Sequence, residues 1–211
     1  MFIAVIMGSA YLAQRIHEKK RRKIFFELGQ AMGFSKRNQE TTFAKSFIEG
    51  NQFYSTLSAI QFFNILYKEY ENGQDEMIAD CIYSTHYSRN FRPTRTVFYR
   101  GGLQLGMPDF SVAPQQGMEK LNKSYFTKEG YQSSPEIPNG YVIKLLGDQP
   151  FDRDQMAVVR QYLETNPGHY LELNKGRLIV YENTKRIEVK TLETSYKRFE
   201  TFVNNLSAKH A

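Results

Sequence analysis

Tryptophan is absent from this 211-residue chain, and cysteine occurs once, as Cys81. A single cysteine excludes an internal disulfide framework and fits a reducing compartment. The four histidines, His17, His86, His169 and His210, are scattered. None pairs with another histidine, a cysteine or an acid at a spacing such as H-E-x-x-H or C-x-x-C, so no metal or cofactor site is expected. Repeats of fixed period and low-complexity tracts are missing as well. So is an apolar run of the roughly 20 residues that a bilayer-spanning helix needs. The opening run stops at Ala13, where a helix has risen only about 20 Å.

Enough apolar material is present to build a core: hydrophobic residues make up 41% of the chain and aromatics 14%, which excludes global disorder. The formal net charge of +6 is distributed unevenly. Arg15, Lys19, Lys20, Arg21, Arg22 and Lys23 lie within nine residues against one acid, Glu18, and the rest of the chain carries 22 basic and 21 acidic residues. Nearly all the excess charge therefore sits beside the opening apolar run, and the body has no general character of a polyanion binder.

That arrangement separates four readings of residues 1–23. A secretion signal carries its cations before the apolar core, and here they follow it. A nucleic-acid arm has no use for Phe2, Ile3, Val5, Ile6 and Met7 ahead of the cations. A plain first helix of a soluble domain accounts for the periodicity but not for the charge. A membrane anchor over residues 1–16, with snorkelling and local thinning making up its length, accounts for both halves. Residues 17–34 then form a basic juxtamembrane helix. Its cations Arg15, Lys19, Lys20, Arg21, Arg22 and Lys23 face anionic headgroups, and the body lies in the cytoplasm at the inner membrane.

Helical spacing continues through Ile24, Phe25, Leu28, Ala31 and Met32, and Gly33 is a natural stop. Residues 35–42, SKRNQETT, read as a polar linker, and 43–50 as a short helix or loop. Residues 53–70 read as a strand, followed by an Asn-Gly hairpin turn at 71–74. Residues 77–87 and 94–100 are further strands, and 110–114 is a short edge strand bracketed by Pro108 and Pro114. After a long Gly- and Pro-containing stretch over 115–140 come a strand at 141–148, an amphipathic helix at 152–167 and a hairpin at 169–183 turning at Asn174-Lys175-Gly176. A helix over 190–207 closes the chain. The fold class is α+β: an N-terminal membrane helix, then one domain over 43–207 in which a helix, a hairpin and a C-terminal helix pack on an antiparallel meander.

The search for chemistry returns little. Cys81 and His86 are five apart on one strand and so point to opposite faces, which leaves Cys81 a buried structural residue. Gly101 to Gly106 imitates a phosphate loop, but Met107 and Pro108 stand where Lys and Ser or Thr belong. Asp80, on an apolar strand, is the carboxylate of interest. It is either a structural acceptor paired with Arg92 or Arg95, or one member of a hydrolase-type site with His86 and Arg92 or Arg95. The interleaved tyrosines and arginines of residues 83–100 offer a nucleic-acid clamp, disfavoured by the near-neutral body.

A set of short motifs recurs in order along the chain. Gly33-Phe34 follows the basic helix, Asp80 and Tyr83 share a strand, and Thr96-Val97 lie on the next. Pro108, Phe110 and Pro114 are spaced Pro-x-Phe-x-x-x-Pro, and Leu178, Val180 and Tyr181 close a hairpin. In this the chain resembles an uncharacterised bacterial family of small proteins with one N-terminal membrane helix and a cytoplasmic α+β domain. The resemblance implies an anchored domain and no particular activity. The expectation is a membrane-tethered, non-catalytic module that binds a membrane surface or a protein partner, with the hydrolase and the nucleic-acid binder as its rivals.

Overall fold

The computed structural model describes residues 2–37, 59–84, 94–115, 130–146, 153–182 and 186–208. Helix α1 (Phe2–Ala31) is followed by β1 (Ser35–Arg37), β2 (Ala59–Glu69), β3 (Asp75–Ser84), β4 (Thr94–Gly101), β5 (Phe110–Pro114) and β6 (Tyr141–Leu145). Then come α2 (Arg153–Thr165), β7 (His169–Asn174), β8 (Arg177–Glu182) and α3 (Val189–Ala208). The eight strands form one antiparallel sheet in the order β1-β2-β3-β4-β8-β7-β5-β6.

The α+β class and most element positions agree with the sequence reading; four features do not. The anchor expected over residues 1–16 is not supported: among the described residues no helix is long and apolar enough to cross a membrane. Residues 2–31 form one continuous helix, α1. Ser35–Arg37, read as linker, pairs with Ile65–Tyr67 as an edge strand. The β7–β8 hairpin does not lie on the meander but enters the sheet, β8 pairing with β4 at Val97↔Tyr181 and β7 with β5. That pairing makes β5 an interior strand, flanked by β7 and β6. The span 43–50 lies outside the described residues.

Local chemistry explains the turns. The amide of Phe34 donates to the Gly29 carbonyl at 2.9 Å and that of Gly33 to Gln30 at 3.0 Å, with Gly33 at φ 82°. These paired bonds close the last turn of α1 on a left-handed glycine. Asn72-Gly73 does not form the two-residue turn its sequence suggests. The Gly73 amide donates to Tyr70 at 3.1 Å and Tyr70 to Gln74 at 2.9 Å, which is a three-residue loop with Gly73 in the left-handed position. The β7–β8 turn is the two-residue kind, with Lys175 and Gly176 at φ 51° and 70°.

Alternation divides the sheet into two buried faces. On one, Leu66, Ile78, Phe98, Val112, Leu171, Leu178 and Val180 meet Phe25 of α1, Met156, Val159 and Leu163 of α2, and Leu192, Phe199 and Val203 of α3. The rings of Phe98 and Phe199 stack at 5.5 Å, and those of Tyr162 and Phe202 at 4.2 Å. On the other face Phe62, Tyr67, Met77, Cys81, Val97, Tyr99, Tyr170, Ile179 and Tyr181 form a second apolar cluster.

Gly176 carries two constraints at once: a left-handed backbone, and a close approach in which an added Cβ would be driven into the Leu103 carbonyl oxygen. Gly176→Ala is therefore expected to lower stability by about 2 kcal/mol or more, read as a fall in the urea midpoint. Lys175→Gly, at a site that already has positive φ without that contact, is expected to leave the midpoint equal or higher.

Candidate functional site

Asp80 sits in the middle of β3 on the helix-facing side, with no solvent exposure. Five donors reach its carboxylate. Arg21 Nη2 and Thr96 Oγ1 donate to Oδ1 at 3.0 and 2.7 Å. Arg21 Nε, Asn64 Nδ2 and Arg186 Nε donate to Oδ2 at 3.2, 3.0 and 2.9 Å. Arg21 is itself buried and gives its remaining terminal nitrogen to the Ile187 carbonyl at 2.7 Å. Arg186 extends the cluster to Glu18, with both terminal nitrogens on the two carboxylate oxygens at 2.6 and 2.8 Å.

Each partner arrives by a local device. Arg21, Phe25 and Gly29 recur at four-residue spacing and make up the docked stripe of α1. Asn64 reaches Asp80 because β2 carries an extra residue. Between Phe63↔Asp80 and Leu66↔Ile78 it advances three positions while β3 advances two, and Asn64 takes φ 51° there. Thr96 lies directly across the ladder from Asp80, and its hydroxyl also accepts the Ile187 amide at 3.2 Å. The four charged members, two arginines and two carboxylates, sum to zero. The Arg186 hydrogen bonds hold Glu18 below the usual carboxylate range. Burial works against the Arg186 charge, but Glu18 and Asp80 outweigh it and raise its pKa.

Arg95 does not pair with Asp80. It is opposite Cys81 in the ladder, so it lies on the other face, with its guanidinium 4.8 Å from the Tyr181 ring centroid. His86 and Arg92 lie outside the described residues. Cys81 is buried and in no disulfide, as its strand position suggested. Of the tyrosines and arginines proposed as a nucleic-acid clamp, Arg95 and Tyr99 are interior, and Arg100 is ion-paired to buried Glu76. Glu76 also accepts the hydroxyls of Tyr70 at 2.6 Å and Tyr196 at 2.8 Å. Burial, and then the Glu76 charge, push the Tyr196 phenol far above its ordinary value, so it stays a proton donor. The other members, Tyr87, Arg89, Phe91 and the Tyr83 side chain, lie outside the described residues.

The six cations expected to face headgroups separate into two kinds. Arg21 is buried in the Asp80 cluster, a correction to its surface role. Arg15, Lys19, Lys20, Arg22 and Lys23 are exposed. So are Leu12, Ile16 and Ile24, at 60%, 48% and 47%, and these are the exposed large hydrophobics among the described residues. No group of three or more metal-ligating side chains occurs among the described residues. Sequence reasoning pointed to Asp80 but missed Glu18, Asn64, Thr96 and Arg186. Glu18 carried a signal, as the one acid inside the basic run; Arg186 had none.

A separate groove of about 320 Å³ runs between α2 and α3, lined by Tyr162, Asn166, Arg198, Thr201 and Asn205 among others. Behind it, the Tyr162 hydroxyl lies 3.0 Å from His169 Nδ1. Burial, and secondarily the Arg198 charge, lower the His169 pKa to about 4.

Compared with protein-family models, with curated proteins and with solved structures, the chain matches none.

Two measurements follow from these groups. Asp80→Ala leaves the buried Arg21 guanidinium without its anion and takes from Arg186 one of its two carboxylate partners, so it is expected to cost about 3–5 kcal/mol in urea unfolding. Adding Arg21→Met to that variant is expected to recover part of the loss. For His169 the fold favours the neutral ring. Its contribution is complete above the unfolded pKa near 6.5 and is lost as pH falls through about 4. The loss levels off at roughly 3 kcal/mol. His169→Asn is expected to flatten the stability curve between those two pH values, as followed by thermal unfolding.

Proposed function

We propose that this protein is a non-catalytic module that attaches to an anionic membrane surface through the outward face of α1, with its body on the cytoplasmic side. The carrying observation is that the exposed large hydrophobics of the described residues, Leu12, Ile16 and Ile24, all lie on this one helix among its five exposed cations. Apolar side chains interleaved with lysine and arginine suit the boundary between headgroups and acyl chains, where the apolar part embeds and the cations meet lipid phosphate. A nucleic acid leaves the apolar side chains without a role. A buried cysteine in no disulfide and an anionic inner leaflet both fit the cytoplasmic side.

The Asp80 cluster supports the non-catalytic part of this reading. A carboxylate with about four lone-pair positions, engaged by five donors, has nothing left for a substrate or a proton in flight. Its role is to fasten α1 to the sheet, which fixes the arc of the helix that faces outward.

Co-sedimentation of the full chain with vesicles tests the proposal. Phosphatidylcholine vesicles containing phosphatidylserine are expected to retain the protein at low salt, and pure phosphatidylcholine vesicles to retain much less. With each cation near the surface worth about 1 kcal/mol, the triple variant K19E/K20E/K23E is expected to bind on the order of a hundredfold more weakly or worse. Equal retention by both vesicle types, or unchanged binding of the triple variant, overturns the proposal.

A further inference from the structure

We infer that the lipid-contact surface does not end with α1 but continues across Phe26 to Lys36 on β1, so that α1 lies along the anionic surface instead of standing on it. This inference rests on the surface-binding reading above and goes further, by naming an orientation and two further contact residues.

Lys36 belongs by sequence to a polar segment beyond the helix. The glycine turn at Gly33 brings it back: β1 doubles against the end of α1, and Lys36 Nζ lies 4.9 Å from the centroid of the Phe26 ring. The Arg22 guanidinium lies 5.7 Å from the same centroid. A partly buried aromatic ring is thus flanked by two exposed cations, one from each element. Such a group suits the headgroup level, where an aromatic body meets the apolar boundary and cations reach phosphate.

Phe26 also falls on the same side of α1 as the apolar residues nearer its start. At about 100° per residue, Leu12, Ile16 and Phe26 lie within roughly 80° of arc, with Lys19 and Lys23 between them. Arg21, Phe25 and Gly29 make up the docked side, and Phe26, which also packs against the core with its ring centroid 6.1 Å from that of Phe25, marks the border between the two. The basic and apolar strip therefore runs along one arc from residue 12 to residue 26, about 21 Å of helix axis. A helix standing on end would leave Leu12, Ile16 and Phe26 at successive heights in headgroup or water. Lying down, it brings the strip into contact at once, its lysines extending sideways to phosphate. The acids of α1 do not oppose this: Glu18 is paired with Arg186, and Glu27 sits 3.8 Å from Lys23.

The natural absence of tryptophan supplies the test. Full-length L12W and F26W, each with one tryptophan, are mixed with phosphatidylserine-containing vesicles carrying brominated acyl chains. In parallel, K36E and K36Q are titrated with unbrominated vesicles and compared with K23E. Comparable quenching of both tryptophans is expected, and K36E is expected to bind at least about fivefold more weakly, as K23E does, with K36Q between. Quenching at position 12 but not 26, with K36E and K36Q binding like the unaltered chain, overturns the inference and leaves the surface-binding reading standing. Failure of the unaltered chain to bind overturns both.

Discussion

A carboxylate with no exposure must be neutralised where it stands, and Asp80 draws to itself the ends of elements that are far apart in the chain. Arg21 comes from α1, Asn64 from β2, Thr96 from β4, and Arg186 from the segment entering α3. Desolvating these charges is expensive, and mutual attraction with a full set of hydrogen bonds offsets that cost only when every partner is in place. The cluster is therefore a test of assembly more than a source of net stability. It is satisfied only when α1 and the start of α3 are docked on the same side of β3. The apolar contacts around it, with Phe25 and Leu66 fully buried, supply the larger driving force.

The same cluster decides what the first helix can present. A long helix with exposed cations on several sides has no defined outward face until one side is fixed. Fixing Arg21, Phe25 and Gly29 inward assigns the remaining arc to Lys19, Lys23, Leu12 and Ile16, and the turn at Gly33 then sets Lys36 beside Phe26. A structural ion cluster and a candidate binding face are thus two sides of one helix, and the first orients the second.

Much of this architecture was legible because it is written in local signals. The stop of α1 at Gly33, the apolar face of α2 at Met156, Val159 and Leu163, and the spacing from Leu192 to Leu206 in α3 each need only a few neighbouring residues to be read. The turn at Lys175-Gly176 is of the same kind. Asp80 stood out because a carboxylate among Ile78, Ala79 and Cys81 needs a partner. Which partner was not legible. The natural guess, an arginine on the adjacent strand, fails on alternation, because Arg95 is opposite Cys81 and so faces away. The real partners are 59 and 106 residues distant.

What the sequence by itself determined was the class of the fold, the positions of most helices and strands, and the concentration of charge on one helix, because periodicity, turn residues and composition act over short range. Only the tertiary structure decided that β8 joins β4, that β5 is interior, and that Arg21 is inside while Lys36 is outside beside Phe26. Those outcomes depend on which surfaces meet. Strand order and ion-pair choice are settled by long-range packing and by the bulge at Asn64 that turns one side chain over. No window of neighbouring residues holds that information.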